Sequence, residues 1–298
     1  MKKLFFLSVM LTAAMAASAQ MKIAPKMQKG LSKVYNVVAT TNIPGQKEVN
    51  ITTDMKYTVT EANADGYVVD VLTTTFYSDA TSDNIAGQLL SGAAELLKGL
   101  NVRVATNKDG RAEKIVNYAE LRPKMDDMCD KLIEKMYQAI PQMSQLVPKE
   151  PLRQQMMESL TEEKLLKSMQ NATSVMTLNG KTVMTGAQEE YVNEQGMKMK
   201  RLYFVNGKNI VTNSSMNMSK DELKVLLIAQ VEKLAPAQAD MIKQNIDTVI
   251  ESGMLKMDMK ETATYDLLDD GWVKSVTVDT TTDTMGQTAK SHTVITCK

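Results

Sequence analysis

Between residues 32 and 116 apolar side chains alternate with polar ones, a period of two that predicts strands buried on one face. Residues 55–60 and 67–77 are rich in Val, Thr and aromatics. Asp65-Gly66 between them is a turn pair that tolerates positive φ, so the two stretches read as a hairpin. Residues 101–106 and 112–116 flank Asp109-Gly110 in the same way. Between the two hairpins the period changes, and Ile85, Leu89, Leu90, Ala93, Leu96 and Leu97 fall on one side of a helix over 84–100.

A helical block follows. Asn117 and Glu120 have the spacing of a capping box, and Leu121, Met125, Met128, Leu132, Met136 and Ile140 trace one helical face, with Pro123 tolerated in the first turn. Pro141, Pro148 and Pro151 interrupt the pattern before Leu152, Met156, Leu160, Leu165, Leu166 and Met169 predict one or two shorter helices. Asn179-Gly180 and Asn206-Gly207 then predict two hairpins, 175–178 with 182–185 and 202–205 with 209–212. Ser219 and Glu222 form a second capping box ahead of Leu223, Leu226, Leu227, Val231 and Leu234. Pro236 starts another helix with Met241, Ile242, Ile246, Val249 and Ile250, which makes an αα-hairpin. Strands at 255–265, 272–282 and 290–296 close the chain.

These elements predict an α+β fold: a large curved antiparallel sheet, half-barrel-like, with helical inserts at about 118–170 and 219–252 packed on one face. One internal echo stands out. Residues 56–60 followed by Asp65-Gly66-Tyr67-Val68 resemble residues 260–264 followed by Asp270-Gly271-Trp272-Val273. Either two related β halves make up a single domain over 20–298, or hairpins share a vocabulary of Asp-Gly and alternating Thr.

The first residues change where this fold is expected to work. Lys2 and Lys3 precede an apolar run over 4–17, and Ala17-Ser18-Ala19 offers small residues for cleavage before Gln20, so residues 1–19 read as a signal peptide cut between Ala19 and Gln20. The expected location is periplasmic or secreted. The run is shorter than the roughly 20 residues of a spanning helix, no Cys lies nearby for lipid attachment, and no later stretch is long and apolar enough to cross a bilayer. Charge is balanced at 35 basic and 35 acidic residues, and removing Lys2 and Lys3 leaves it slightly acidic. With no basic cluster to neutralise phosphates, nucleic acid is not an expected partner.

Candidate chemistry is sparse. Cys129 and Cys297 are the two cysteines, and in an exported chain they form either one disulfide, worth about 5 kcal/mol in the chain-entropy model, or two separate buried thiols. His292 is the single histidine; it sits in a strand without a Gly-x-Ser-x-Gly elbow and reads as structural. One His and two Cys cannot close a four-ligand zinc site, and glycine patterns for nucleotides are absent, so no cofactor is expected. The adjacent pairs Asp126-Asp127, Glu162-Glu163, Glu189-Glu190 and Asp269-Asp270 point their members in different directions and read as solvated charge. One Trp, four Phe and nine Tyr leave little to stack on sugars.

Methionine is the compositional oddity. Met1, Met10 and Met15 lie in the signal, yet 24 in all leave a methionine-rich remainder with triplets at Met197/Met199, Met216/Met218 and Met257/Met259. In a strand such a triplet turns two thioethers to one side, which suits Cu(I); the plainer reading is core packing. A third use of the same side chains is to line a site for an apolar or lipid-like ligand.

The order of elements, the Asp-Gly and Asn-Gly hairpins and the signal ending in Ala19-Gln20 resemble the unclosed β-barrels with helical lids of periplasmic lipoprotein carriers and secreted families of similar build in Bacteroidetes. Asp247-Thr248-Val249, Asp279-Thr280-Thr281 and Asp283-Thr284-Met285 are similar to the O-glycan acceptor pattern of exported Bacteroidetes proteins, with only the latter two outside a helix. No functional residue carries over. The resulting expectation is a non-catalytic exported envelope protein that binds an apolar ligand between sheet and helices. A structural protein that binds another envelope protein is the alternative, ahead of a Met-based copper binder or a carboxylate-dependent hydrolase.

Overall fold

The period-two stretches become one eleven-stranded sheet, because each alternating segment finds an antiparallel neighbour that buries the same face. A computed structural model of the protein describes residues 20–42, 44–45, 47–79, 97–139, 141, 148–193, 196–234, 240, 243, 245–246, 257–284 and 287–298. Its strands are β1 (Met21–Lys22), β2 (Ser32–Asn42), β3 (Val49–Ala62), β4 (Gly66–Ser78), β5 (Asn101–Asn107), β6 (Ala112–Ile115), β7 (Thr182–Val183), β8 (Gln188–Val192), β9 (Lys198–Asn206), β10 (Asn209–Met216), β11 (Met257–Leu267), β12 (Val273–Thr284) and β13 (Gln287–Cys297). Four helices are described: α1 (Tyr118–Ala139), α2 (Lys149–Ser159), α3 (Glu162–Ser168) and α4 (Lys220–Leu234). None is long and apolar enough to cross a membrane.

The sheet runs β6-β5-β4-β3-β2-β13-β12-β11-β10-β9-β8, antiparallel throughout, and its two edge strands do not pair with each other. The α+β expectation of a large curved antiparallel sheet with helices therefore agrees with the structure. Its centre is β2 against β13, with Tyr35 opposite Cys297 and Val37 opposite Ile295. The inner face carries Tyr35, Val59, Val69, Val104, Ala263 and Val276, all fully buried. Each large one contributes about 1.5–3 kcal/mol on removal from water. Leu121 and Met125 of α1 join this core, and Met157, Leu165 and Leu166 of α2 and α3 pack against it.

The two echoing hairpins, β3–β4 and β11–β12, have their turns at the same end of the sheet and advance across it in the same direction. Each has a register shift near its turn, at Val59/Glu61 and Asp266/Leu267. Residues 20–31 lace across this end. Ile23 N–H donates to the Lys181 carbonyl at 2.9 Å, Lys26 N–H to the Asp270 carbonyl at 2.7 Å, and the Trp272 indole to the Lys26 carbonyl at 3.0 Å.

Four local expectations need correction. Asn117 does not cap α1 with its side chain: its Oδ1 accepts from Arg103 N–H at 2.9 Å and its Nδ2 donates to the Asn101 carbonyl at 2.9 Å, so the side chain serves β5 instead. The buried stripe of α1 runs through Leu121, Met125, Cys129 and Ile133, keeping to i, i+4 spacing, while Met128 and Leu132 fall at its margin. Pro151 lies in the first turn of α2, where its missing N–H costs nothing.

The 175–178 strand does not form. Val175, Met176, Thr177, Leu178 and Asn179 are all buried in succession, which a strand with one solvated face cannot achieve. The segment is a string of turns closed by Asn179 N–H to the Met176 carbonyl (3.1 Å) and Lys181 N–H to the Leu178 carbonyl (3.1 Å), and β7 pairs with β1 instead. The Asn206-Gly207 hairpin and the Ser219/Glu222 box do form. Glu222 N–H donates to Ser219 Oγ at 3.2 Å and Ser219 N–H returns to the Glu222 carboxylate at 2.9 Å. A hydrogen bond from Lys198, with those from Ser219, brings the Glu222 carboxyl down to about 2. Most of the expected 84–100 helix, and most of the helix expected after Pro236, lie outside the described residues.

Candidate functional site

Four neighbouring strands place polar side chains, three of them charged, on the inner face, at positions where the alternation calls for apolar side chains. The register sets Glu189 of β8 opposite Arg201 of β9, Arg201 opposite Ser214 of β10, and Ser214 opposite Glu261 of β11. One row thus reads Glu, Arg, Ser, Glu. The next row on the same face begins Tyr191 opposite Met199 and Met199 opposite Met216. A polar row and a thioether row lie side by side.

Arg201 is the hub. Its side chain is 4% exposed, and its guanidinium stacks over Tyr191 at 4.3 Å from the ring centroid. Nε donates to Ser214 Oγ at 3.2 Å, while Nη1 lies 3.6 Å from Glu189 and Nη2 3.9 Å from Glu261. Glu189 is held further by Lys181 at 2.8 Å and by the Tyr203 hydroxyl, which donates to it. Two cations and two anions are balanced here. A cavity of about 150 Å³ opens beside them, lined by Tyr191, Arg201, Glu261, Met199, Met259 and Ala172 among others.

Burial separates the two carboxylates. Loss of solvent raises the Glu261 carboxyl, and the Arg201 charge and the Ser214 hydrogen bond only partly oppose it. Burial acts on Glu189 as well, but hydrogen bonds from Lys181 and Tyr203 and the charges of Lys181 and Arg201 outweigh it and leave that carboxyl lowered. The linkage signs are opposite. Glu189 stabilises the fold above the ordinary Glu value, about 4.3, and loses that contribution as pH falls through its lowered value. Glu261 favours the fold below the ordinary value and loses that contribution as pH rises through its raised one. Glu261→Gln is therefore expected to gain stability relative to the parent as pH climbs from acid toward neutral, as measured by urea denaturation at a series of pH values. A pH-independent difference would contradict this assignment.

The residues singled out from sequence are dispersed. Cys129 and Cys297 are free thiols, the first buried in α1 with its sulfur 3.6 Å from Met157 Sδ, the second in β13 opposite Tyr35. Burial and the Asp126 charge raise the Cys129 thiol. His292 faces outward, its Nδ1 2.7 Å from Asp279 Oδ1, above a groove of about 320 Å³ that also includes Thr40 and Lys290. Thr40, opposite His292 in the β2–β13 register, donates to Asn50 Oδ1 at 2.6 Å, and Thr280, Thr281 and Ser291 also line the groove.

Of the carboxylate pairs, Asp126 meets Arg153 and Asp127 meets Lys131, while Asp269 meets Lys208 and Asp270 meets Lys33. Glu163 pairs with Lys167. Glu189 departs from the solvated reading because it turns inward to Arg201. Thr280 and Thr284 are half-buried positions of β12, Gln20 is exposed, and Ala19 and Thr248 fall outside the described residues. Arg201 and Glu261 were missed by motif reasoning. Their signal was parity, since each occupies an inward position flanked two residues away by Met and by Tyr or Ala.

No family model matches the chain, and no curated protein does. Among solved structures, one concerned with lipid–protein interactions in lipovitellin aligns with 92% of this chain at 8% identity and a TM-score of 0.36. The alignment spans 25% of the lipovitellin chain. The S-type phycobiliprotein lyase CpeS from Guillardia theta aligns over 89% of this chain and 86% of its own at 6% identity and a TM-score of 0.21.

Proposed function

We propose that the protein is a non-catalytic binding protein of the cell envelope that holds a small amphipathic, lipid-like ligand on the inner face of its sheet. One observation carries this reading: the lining of a single cavity combines the charged pair Arg201 and Glu261 with the apolar side chains of Met199, Met259 and Ala172 and the ring of Tyr191. An amphipathic molecule satisfies both kinds of lining, whereas a purely apolar one leaves Arg201 and Glu261 facing it.

Size and charge narrow the ligand. The cavity, about 150 Å³, is smaller than the roughly 300–1,000 Å³ typical of drug-sized ligands, so it takes a head group and a short apolar stretch. Lys181 and Arg201 offset Glu189 and Glu261, so an anion gains no net attraction and a neutral or zwitterionic head group fits best. Separated carboxyl values often mark an acid and base pair. Here the Arg201 guanidinium occupies the space between Glu189 and Glu261, which supports binding over hydrolysis.

The test is native mass spectrometry of protein purified from its own envelope without detergent, followed by titration with monooctanoylglycerol and, separately, octanoate. The neutral ligand is expected to bind at least ~10-fold more tightly than the anion, and Tyr191→Ala to weaken it by a similar factor. Protein that is ligand-free from its source and takes up neither compound would overturn the proposal.

A further inference from the structure

The three Met-x-Met triplets lie far apart in the chain, yet the sheet brings them to one corner. Met197 and Met199 stand at the start of β9, Met216 and Met218 at the end of β10, and Met257 and Met259 at the start of β11. These strands are adjacent in the order β11-β10-β9. Met199 is directly opposite Met216. On the other side Ser215 is opposite Lys260, so the same register carried one place further sets Met216 against Met259. Met197 and Met218 lie just outside the paired residues of β9 and β10. The Asn217 N–H bond to the Lys198 carbonyl, 2.8 Å, extends the β9–β10 ladder in that direction.

Directly opposed residues on one face have Cβ atoms about 4.5–5.5 Å apart, and Met199 and Met259, roughly 9.5 Å apart across two strand spacings, can both extend flexible thioethers toward Met216 between them. A second set of contacts places two of the three residues at the cavity. Met199 and Met259 both line it, and the Asn193 side chain links Met259 to Met197, its Nδ2 donating to Met259 Sδ at 3.7 Å and its Oδ1 accepting from Met197 N–H at 2.9 Å. Core packing explains buried methionines one at a time. It does not require methionines in matching register on three consecutive strands, with an amide holding one sulfur in orientation.

We infer that Met199, Met216 and Met259 form a thioether site for a soft monovalent cation, Cu(I) or Ag(I). Thioethers are neutral, soft donors that favour Cu(I) over harder ions such as Mg²⁺ or Ca²⁺. Arg201 and Glu261 line the same cavity with opposite charges, so binding rests on the neutral thioethers rather than on net charge. Asn193 is a positioning residue. The inference goes beyond the amphipathic-ligand reading and does not rest on it, because replacing these methionines by leucine keeps the apolar wall while removing the sulfurs.

The probe is Ag(I) alone, titrated into the full chain and followed by calorimetry, with Cu(I) under reductant as a second titrant. The parent is expected to take up one equivalent of either ion saturably. Met199→Leu, Met216→Leu and Met259→Leu should each lower affinity at least ~10-fold, and the triple variant should lose specific binding. Near-isosteric Met→Leu changes cost under about 1.5 kcal/mol each, so the variants are expected to fold, as checked by circular dichroism. Methionine-methyl NMR of the unaltered parent provides a readout independent of any variant, and Ag(I) should shift the Met199, Met216 and Met259 methyl resonances while leaving Met27 and Met125 unmoved. A parent that does not saturate, a triple variant of undiminished affinity, or shifts spread evenly over all methionines would overturn the site. A tenfold loss of Ag(I) affinity in Met216→Leu, whose side chain is not part of the cavity lining, with monooctanoylglycerol binding unchanged would separate the two proposals.

Discussion

Arg201→Met is expected to destabilise the protein by about 3–5 kcal/mol at neutral pH, the scale for removing one partner from a buried ion pair. The guanidinium is almost wholly buried, and its loss leaves Glu189 and Glu261 facing each other with only Lys181, Tyr203 and Ser214 to compensate. Equilibrium urea denaturation measures the effect. The loss should shrink as pH falls and the carboxylates take up protons, and a Glu189→Gln, Glu261→Gln background should recover part of it. Lysine is a poor substitute, since a point charge cannot reproduce the planar stack on Tyr191. A variant within about 0.5 kcal/mol of the parent, the range of ordinary surface changes, would show that the row is not a coupled unit.

Gly66→Ala is expected to cost at least ~3 kcal/mol, the upper end of overpacking, for a reason unrelated to turn conformation. A Cβ at this position would lie 1.9 Å from the Thr106 carbonyl oxygen and 2.9 Å from the Asn107 carbonyl carbon, both backbone atoms of β5 that cannot rotate aside. Gly207 is the internal comparison. Its φ of +57° is the left-handed value that an Asn-Gly hairpin needs, but open space surrounds the missing Cβ, so Gly207→Ala should cost only about 1–2 kcal/mol of backbone preference. Thermal denaturation of the two variants side by side checks the contrast. Equal losses at the two positions would mean that β5 moves away from Gly66 freely.

That contrast shows how far local sequence reaches. Asp65-Gly66 marks a turn correctly, but the glycine there is required by a strand about forty residues away, a contact that turn vocabulary cannot express. Asn179-Gly180 carries the same dipeptide signal as Asn206-Gly207 and forms no hairpin, because burial on every side of 175–179 outweighed the local preference. Asn117 has the chemistry of a helix cap and is used to tie α1 to β5, since the Arg103 N–H competes for the same oxygen. The Ser219/Glu222 box formed as read, its partners being three residues apart and needing nothing from the rest of the fold.

The candidate site was legible only in fragments. Met197/Met199, Met216/Met218 and Met257/Met259 were visible as triplets, and Glu189 as half of an unremarked acidic pair, while Arg201 and Glu261 belong to no motif. By itself the chain determined most of its longer strands, most of its turns and which face of those strands is apolar, because these follow from a period of two and from residues within a few positions of one another. Only the tertiary structure decided that β2 meets β13, that a string of buried turns fills the core, and that Glu189, Arg201, Ser214 and Glu261 share one row beside three aligned methionines. The physical reason is register: each of those neighbourhoods depends on pairing between strands, much of it across long insertions, and no local pattern encodes it.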